Sequence, residues 1–180
     1  MQRAAAEGRY SHHAYRLYYM QGSGGGGPAG GPGGLAIYSA ISSDGIAFTR
    51  EPGVRLTPPD RQTFDPTVLK ARAGWLLWTG PDGAHFATSP DGLRFTARSA
   101  FTVDGAGFMV WAATALPGGG YRVYGNVVGP GGEPAASASS ADGVSWRLDA
   151  GRRLAGGAPD VGVAVLDARH WAMAYLTLIP

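Results

Sequence analysis

Ser89-Pro90-Asp91-Gly92-Leu93-Arg94-Phe95 decides how the chain is read, because the chain repeats it in two near copies. Ser42-Ser43-Asp44-Gly45-Ile46-Ala47-Phe48 precedes it and Ser140-Ala141-Asp142-Gly143-Val144-Ser145-Trp146 follows. The three aspartates stand 47 and then 51 residues apart, a period that belongs to repeat architectures. Asp-Gly tolerates positive φ, as a two-residue hairpin requires. Serine and aspartate side chains can bond nearby backbone N–H groups and hold such a turn from within. The aromatic three residues after the glycine opens the outgoing strand. Eight residues beyond each aromatic comes an aliphatic, Leu56, Val103 and Leu154. Each copy therefore reads as the last hairpin of a larger unit.

Working outward, the earlier strands of each unit come into view. Tyr15-Arg16-Leu17-Tyr18-Tyr19-Met20, Trp75-Leu76-Leu77-Trp78, Tyr121-Arg122-Val123-Tyr124 and Trp171-Ala172-Met173-Ala174-Tyr175 occupy matching places and read as second strands. First strands lie about ten residues upstream, at Thr67-Val68-Leu69, Phe108-Met109-Val110-Trp111 and Val161-Gly162-Val163-Ala164-Val165. Two of these open with an acid beside a proline, Asp65-Pro66 and Pro159-Asp160. The same count back from Tyr15 lands in Ala4-Ala5-Ala6, which has no strand character.

This reading gives one partial propeller domain over residues 1–180. Blade A covers about 14–57, blade B about 63–104, blade C about 107–155, and the start of a blade D about 158–180. Thirteen strands are expected, three, four, four and two in the successive blades. Four-stranded antiparallel units at this period are the blades of a β-propeller. The expected fold class is all-β, a propeller-type array with an incomplete ring. Five blades at this spacing would need about 240 residues, so an open arc or a piece of a longer chain is expected.

Composition agrees with a packed β protein. The chain has 180 residues, 44% hydrophobic and 16% charged, with 30 glycines and 13 prolines to serve many turns. Net charge is only +2, and Lys70 is the single lysine among 15 scattered basic residues, so nucleic acid is not an expected partner. No segment has membrane-span length and the first ten residues lack an apolar signal core, so a soluble chain without a signal peptide is expected; the compartment stays open. With no cysteine, disulfides, thiol catalysis and thiolate metal sites are excluded. Residues 21–34 are glycine-rich. Gly22, Gly24 and Gly27 there satisfy G-x-G-x-x-G, but the strand-like Leu35–Ile41 follows where a dinucleotide site needs a helix.

The combination of Tyr-Arg-x-Tyr, Ala-x-Ser-x-Asp-Gly-x-x-Phe/Trp and an Asp-Pro strand start resembles the five-bladed propellers of family-43 glycoside hydrolases and their arabinanase and invertase relatives. The turn is more loosely similar to the Asp-box repeat of sialidases. The first resemblance implies a catalytic base aspartate at the head of one inner strand, a second aspartate two blades on, and an acid glutamate in the next blade. Asp65 and Asp160 have that spacing, so Asp65 would be the base and Asp160 would orient and tune the acid. Inverting hydrolysis needs such a base and a protonated acid, with room for water between them. Glu7, Glu51 and Glu133 are the only glutamates, and none heads an inner strand. The bland reading keeps both aspartates as turn residues bonding strand-start amides.

Substrate-binding candidates are Trp111, on an inner strand, and His85 and His170, each beside an aromatic. No cofactor or metal is expected, and adjacent His12 and His13 would point to opposite faces of a strand. The expected function is carbohydrate binding in an axial cleft, with inverting glycoside hydrolysis in a longer or oligomeric form. Two alternatives stand beside it. One is a non-catalytic propeller interaction module, with a homo-oligomer completing the ring. The other is a sialidase-like enzyme, which Arg55, Arg98, Arg152 and Arg153 disfavour by lying on outer strands where they cannot converge on the axis.

Overall fold

The structure, a computed structural model, describes residues 15–22, 35–57, 64–80, 85–129, 135–154 and 160–176. His12, His13, Glu7, Glu133, Ala4 to Ala6 and most of the glycine-rich tract lie outside the described residues. The described residues hold fourteen strands and no helix. Sheet A contains β1 (Tyr15–Gly22), β2 (Leu35–Ser42) and β3 (Thr49–Arg50) in that order. Sheet B contains β4 (Thr67–Ala71), β5 (Gly74–Thr79), β6 (His85–Ser89) and β7 (Thr96–Ala97). Sheet C is β8 (Thr102–Val103), β9 (Ala106–Ala115), β10 (Tyr121–Val127), β11 (Ala136–Ser140) and β12 (Arg147–Leu148), and sheet D is β13 (Val161–Val165) with β14 (Trp171–Tyr175). All pairings are antiparallel. The architecture is an all-β, incomplete propeller.

The strand beyond the thirteen expected is β8. Val103 pairs with Ala106 across Asp104 and Gly105, which have φ of 48° and 82°. That is the two-residue Asp-Gly hairpin with positive φ at both central residues. The three repeated Asp-Gly turns are built otherwise. Each spans six residues between strands, and only its glycine is left-handed, at φ of 75°, 73° and 79° for Gly45, Gly92 and Gly143. In the first, the Ser42 hydroxyl donates to Asp44 Oδ1 at 2.7 Å and accepts from the Gly45 N–H at 2.9 Å. Asp44 Oδ1 accepts from the N–H groups of Ile46 and Ala47 at 2.8 and 3.0 Å. Ser89 with Asp91, and Ser140 with Asp142, repeat the same bonds. The side chains set this turn, and the hairpin expected from the dipeptide alone is replaced by a longer Asx-type loop.

Sheets stack through faces of fixed parity, since alternate residues of a strand point to opposite sides. Tyr18 and Met20 of sheet A pack with Leu77, Ala87, Val68 and Phe95 of sheet B, and the Tyr18 hydroxyl donates to the Gly92 carbonyl at 2.9 Å. On the other side of sheet B, Trp78 is fully buried and stacks on Phe86 at 5.6 Å. It also meets Phe101 and Trp146 edge-on at 5.3 and 6.2 Å. Val123, Phe108 and Val110 of sheet C close this core. Val161, Val163 and Met173 of sheet D then pack with Ala112 and Tyr124.

Leu17, Leu77 and Val123 occupy the same place in three successive sheets, two residues after the aromatic that opens the second strand. Leu77 and Val123 are fully buried by the preceding sheet, whereas Leu17 is 48% exposed. On that face of sheet A, Tyr19 and Tyr38 stack at 6.1 Å beneath Arg50, and Ala36, Tyr38 and Ala40 are buried.

Candidate functional site

The inner strands β4, β9 and β13 lie side by side in that order, and the residues at their heads form the candidate site. Asp65 is set just before β4 by a clamp on its neighbour. The Phe64 carbonyl accepts from the Thr79 hydroxyl at 2.6 Å and from the Gly80 N–H at 3.1 Å, tying this turn to the end of β5. Asp65 takes a left-handed backbone at φ 41°, directly before Pro66. Aspartate tolerates that region better than most residues, but it stores strain, and such strain collects at functional sites. Unlike Asp44, Asp91 and Asp142, the Asp65 carboxylate accepts no hydrogen bond among the described residues. It does not behave as a strand-start cap.

Trp111 is delivered by a bulge. Ala112 pairs with Tyr124 and Val110 with Gly125, so Trp111 alone in the middle of β9 has no partner on β10. The irregularity is possible because residue 125 is glycine. A β-carbon there would sit 1.7 Å from the Met109 carbonyl oxygen. Bulges of this kind re-aim a side chain and recur beside active sites. The Trp111 carbonyl is in turn fixed by the Thr67 hydroxyl of β4, which donates to it at 2.9 Å. The indole Nε1 is buried and has no hydrogen-bond partner among the described residues.

Asp65 and Trp111 line one cleft of about 220 Å³, with Phe64, Thr79, Gly80, Met109 and Val110. Asp160 stands on the far side of the same stretch of β9. It is half-buried, its carbonyl accepts from the Leu176 N–H at 3.2 Å, and the adjoining Val161 packs with Ala112 against Trp111. The strand starts at Asp65 and Asp160 therefore flank Trp111–Ala112. His85 is not a lining residue, though its ring packs on Gly80, which is one. His170 is elsewhere. It pairs with Asp167 at 2.7 Å on the exposed hairpin of sheet D, past the end of β13 opposite Asp160.

No family model and no curated protein matches the sequence. Among solved structures, the chain superposes on the Bombyx mori GH32 beta-fructofuranosidase BmSUC1 with a TM-score of 0.54 at 15% sequence identity. The fold is that of an incomplete propeller. The match covers 87% of this chain but only 39% of the silkworm protein, so the chain spans well under half of the length of the protein it resembles. A likeness at this identity is one of fold.

Glu51 has a structural post. Its carboxylate takes both the Nε and an Nη of Arg16, at 2.8 and 3.1 Å, and the Ser39 hydroxyl at 2.7 Å, on the face of sheet A that meets sheet B. Among the described residues no cluster of three His, Asp or Glu side chains is arranged to hold a metal. Thr67, Thr79 and Gly125 are the site-building residues that sequence reading passes over. Only Gly125 leaves a signal, a glycine within an otherwise regular strand.

Proposed function

We propose that this chain is carbohydrate-active, binding an oligo- or polysaccharide at the heads of the inner strands. The observation that carries the reading is the shared cleft of Asp65 and Trp111, an aspartate whose carboxylate accepts no hydrogen bond among the described residues beside an indole ring. A sugar ring offers something to both, with hydroxyls for the carboxylate and an apolar face for the indole ring. In inverting hydrolysis Asp65 would activate water as general base. Asp160, across Trp111–Ala112, would orient an acid, and that acid would come from a longer or oligomeric form. The resemblance to family-43 hydrolases belongs to this proposal.

The test is a glycan screen by calorimetry, starting with β-fructofuranosides and arabinans, repeated on Asp65→Asn and Trp111→Ala with circular dichroism as the folding control. Binding lost in both folded variants supports the reading. Failure of every glycan to bind, or unchanged affinity in both variants, removes it.

A second reading is favoured by Leu17, exposed where its counterparts are fully buried. On that reading the chain is an interaction module, and a second copy supplies the sheet that covers sheet A. Light scattering decides it: a discrete oligomer supports this reading and a stable monomer removes it.

A further inference from the structure

The turns align the sheets residue by residue, and the alignment exposes one break. In sheet A, Arg16, Ser39 and Glu51 join in the ion-paired cluster described above. In sheet C, Arg122, Ser137 and Asp149 hold the same places. Arg122 Nε lies 3.0 Å from Asp149 Oδ2, and the Ser137 hydroxyl donates to that oxygen at 2.5 Å. Sheet B carries Leu76, Phe86 and Arg98 instead. The correspondence is structural as well as sequential. Glu51, Arg98 and Asp149 donate their N–H groups to the carbonyls of Ser39, Phe86 and Ser137 at 2.9, 2.7 and 2.8 Å.

Sheet B has thus lost the cation and serine of the cluster and carries a cation where its acid should be. A cleft opens at this place, of about 390 Å³, lined among others by Leu76, Phe86, Thr88, Arg98, Phe101 and Trp146. A second cleft of about 330 Å³ shares Leu76, Thr88 and Arg98 with it. The floor is apolar and aromatic, while the rim holds one cation. Arg98 Nε donates to the Thr88 hydroxyl at 2.8 Å, which fixes the guanidinium. Its terminal nitrogens meet no partner among the described residues, and the side chain is exposed. Asp142, on the second cleft, is the one carboxylate among the lining residues of the two, and it is engaged by its own turn through Val144, Ser145 and the Ser140 hydroxyl.

We infer that this cleft binds a carboxylate carried on an apolar ring. The ligand supplies from outside the acid that sheets A and C supply from their own chain, and its carboxylate meets the free fork of Arg98. The ring lies over Leu76, Phe86 and Trp146, in a space within the usual range for small-molecule sites. This site sits on the outer side of sheets B and C and is independent of the sugar reading at the inner strands.

The probe is 2-naphthoate, titrated by calorimetry and by NMR of the Trp146 indole N–H, which donates to the Gly143 carbonyl inside the cleft at 3.3 Å. The neutral 2-naphthalenemethanol serves as comparison. Saturable naphthoate binding that shifts the Trp146 signal is expected, about tenfold tighter than the alcohol. Arg98→Asp restores the acid of the other sheets and should abolish binding, Arg98→Lys should weaken it, and Arg94→Asp, outside the cleft, should leave it unchanged. Equal affinity for acid and alcohol, unchanged binding in Arg98→Asp, or saturation without a Trp146 shift would overturn the inference. Arg98 is exposed, and circular dichroism separates a folded variant from an unfolded one.

Discussion

The Met109 carbonyl oxygen occupies the space that any side chain at position 125 would need, 1.7 Å from an ideal β-carbon on Gly125. The bulge that carries Trp111 toward Asp65 depends on that missing atom. Gly125→Ala forces the two strands apart or straightens β9. A loss of about 3 kcal/mol is expected by urea denaturation, at the upper end of overpacking effects. The Trp111 emission spectrum should change in whatever fraction stays folded.

Trp78 joins sheets B and C, with Phe86, Phe101 and Trp146 all in ring contact with it. Trp78→Ala is expected to cost about 4 kcal/mol, a large part of the stability of a domain this size. Trp78→Phe should cost markedly less, because it also removes an indole N–H that has no partner among the described residues. Equal losses in the two variants, read from chemical denaturation, would contradict this.

The repeated ion pairs differ in depth. Arg16 and Glu51 are 8% and 12% exposed at the side chain, against 31% and 19% for Arg122 and Asp149. Glu51→Ala leaves a buried guanidinium without its carboxylate, with an expected loss of about 3 kcal/mol. For Asp149→Ala about 1 kcal/mol is expected, because water can take over part of the contact. The order of the two midpoints in urea checks it.

The turn aspartates make stability acid-sensitive. The Ile46 N–H, then the Ser42 hydroxyl and the Ala47 N–H, hold the Asp44 carboxyl down to about 2 from 3.8. Asp91 is lowered chiefly by the Leu93 N–H and Asp142 chiefly by the Ser145 N–H. A depressed folded pKa contributes stability that is complete above the unfolded value and is lost as pH falls toward the folded one. Melting temperature should therefore fall between about pH 4 and pH 2. The triple variant Asp44→Asn, Asp91→Asn, Asp142→Asn should be flatter over that window, its amide oxygens still accepting the same N–H bonds. Calorimetry across the range is the check.

The sheets were legible in the sequence because Asp44, Asp91 and Asp142 fix three turns with their own side chains, and strand positions follow by counting. The detailed turn shape was not. Asp-Gly is shared by a two-residue hairpin at Asp104–Gly105 and by the longer serine-braced loops, and the difference lies in a serine two places upstream. Asp65 could be named from its proline and its place before β4. The bulge at Trp111 could not, because one extra residue in a strand leaves the alternation of an apolar run unreadable. His170 fell outside the cleft for a plain reason: it follows the turn that ends β13, and five strand residues carry it away from Asp160. The cleft at Arg98 emerged only when structure aligned it with Glu51 and Asp149.

The exposed place of Leu17 at one end of the stack also bears on the order in which the molecule opens. Among the described residues sheets A and D each pack on one neighbour, while sheets B and C each pack on two, so the lowest-energy partial unfolding detaches a terminal sheet, β13 and β14 or β1 to β3, and leaves the Trp78 core standing. Amide protons of β1 and β2 should exchange with solvent well before those of β10 and β11. The chain then behaves as one cooperative centre with weaker ends along a continuous stack.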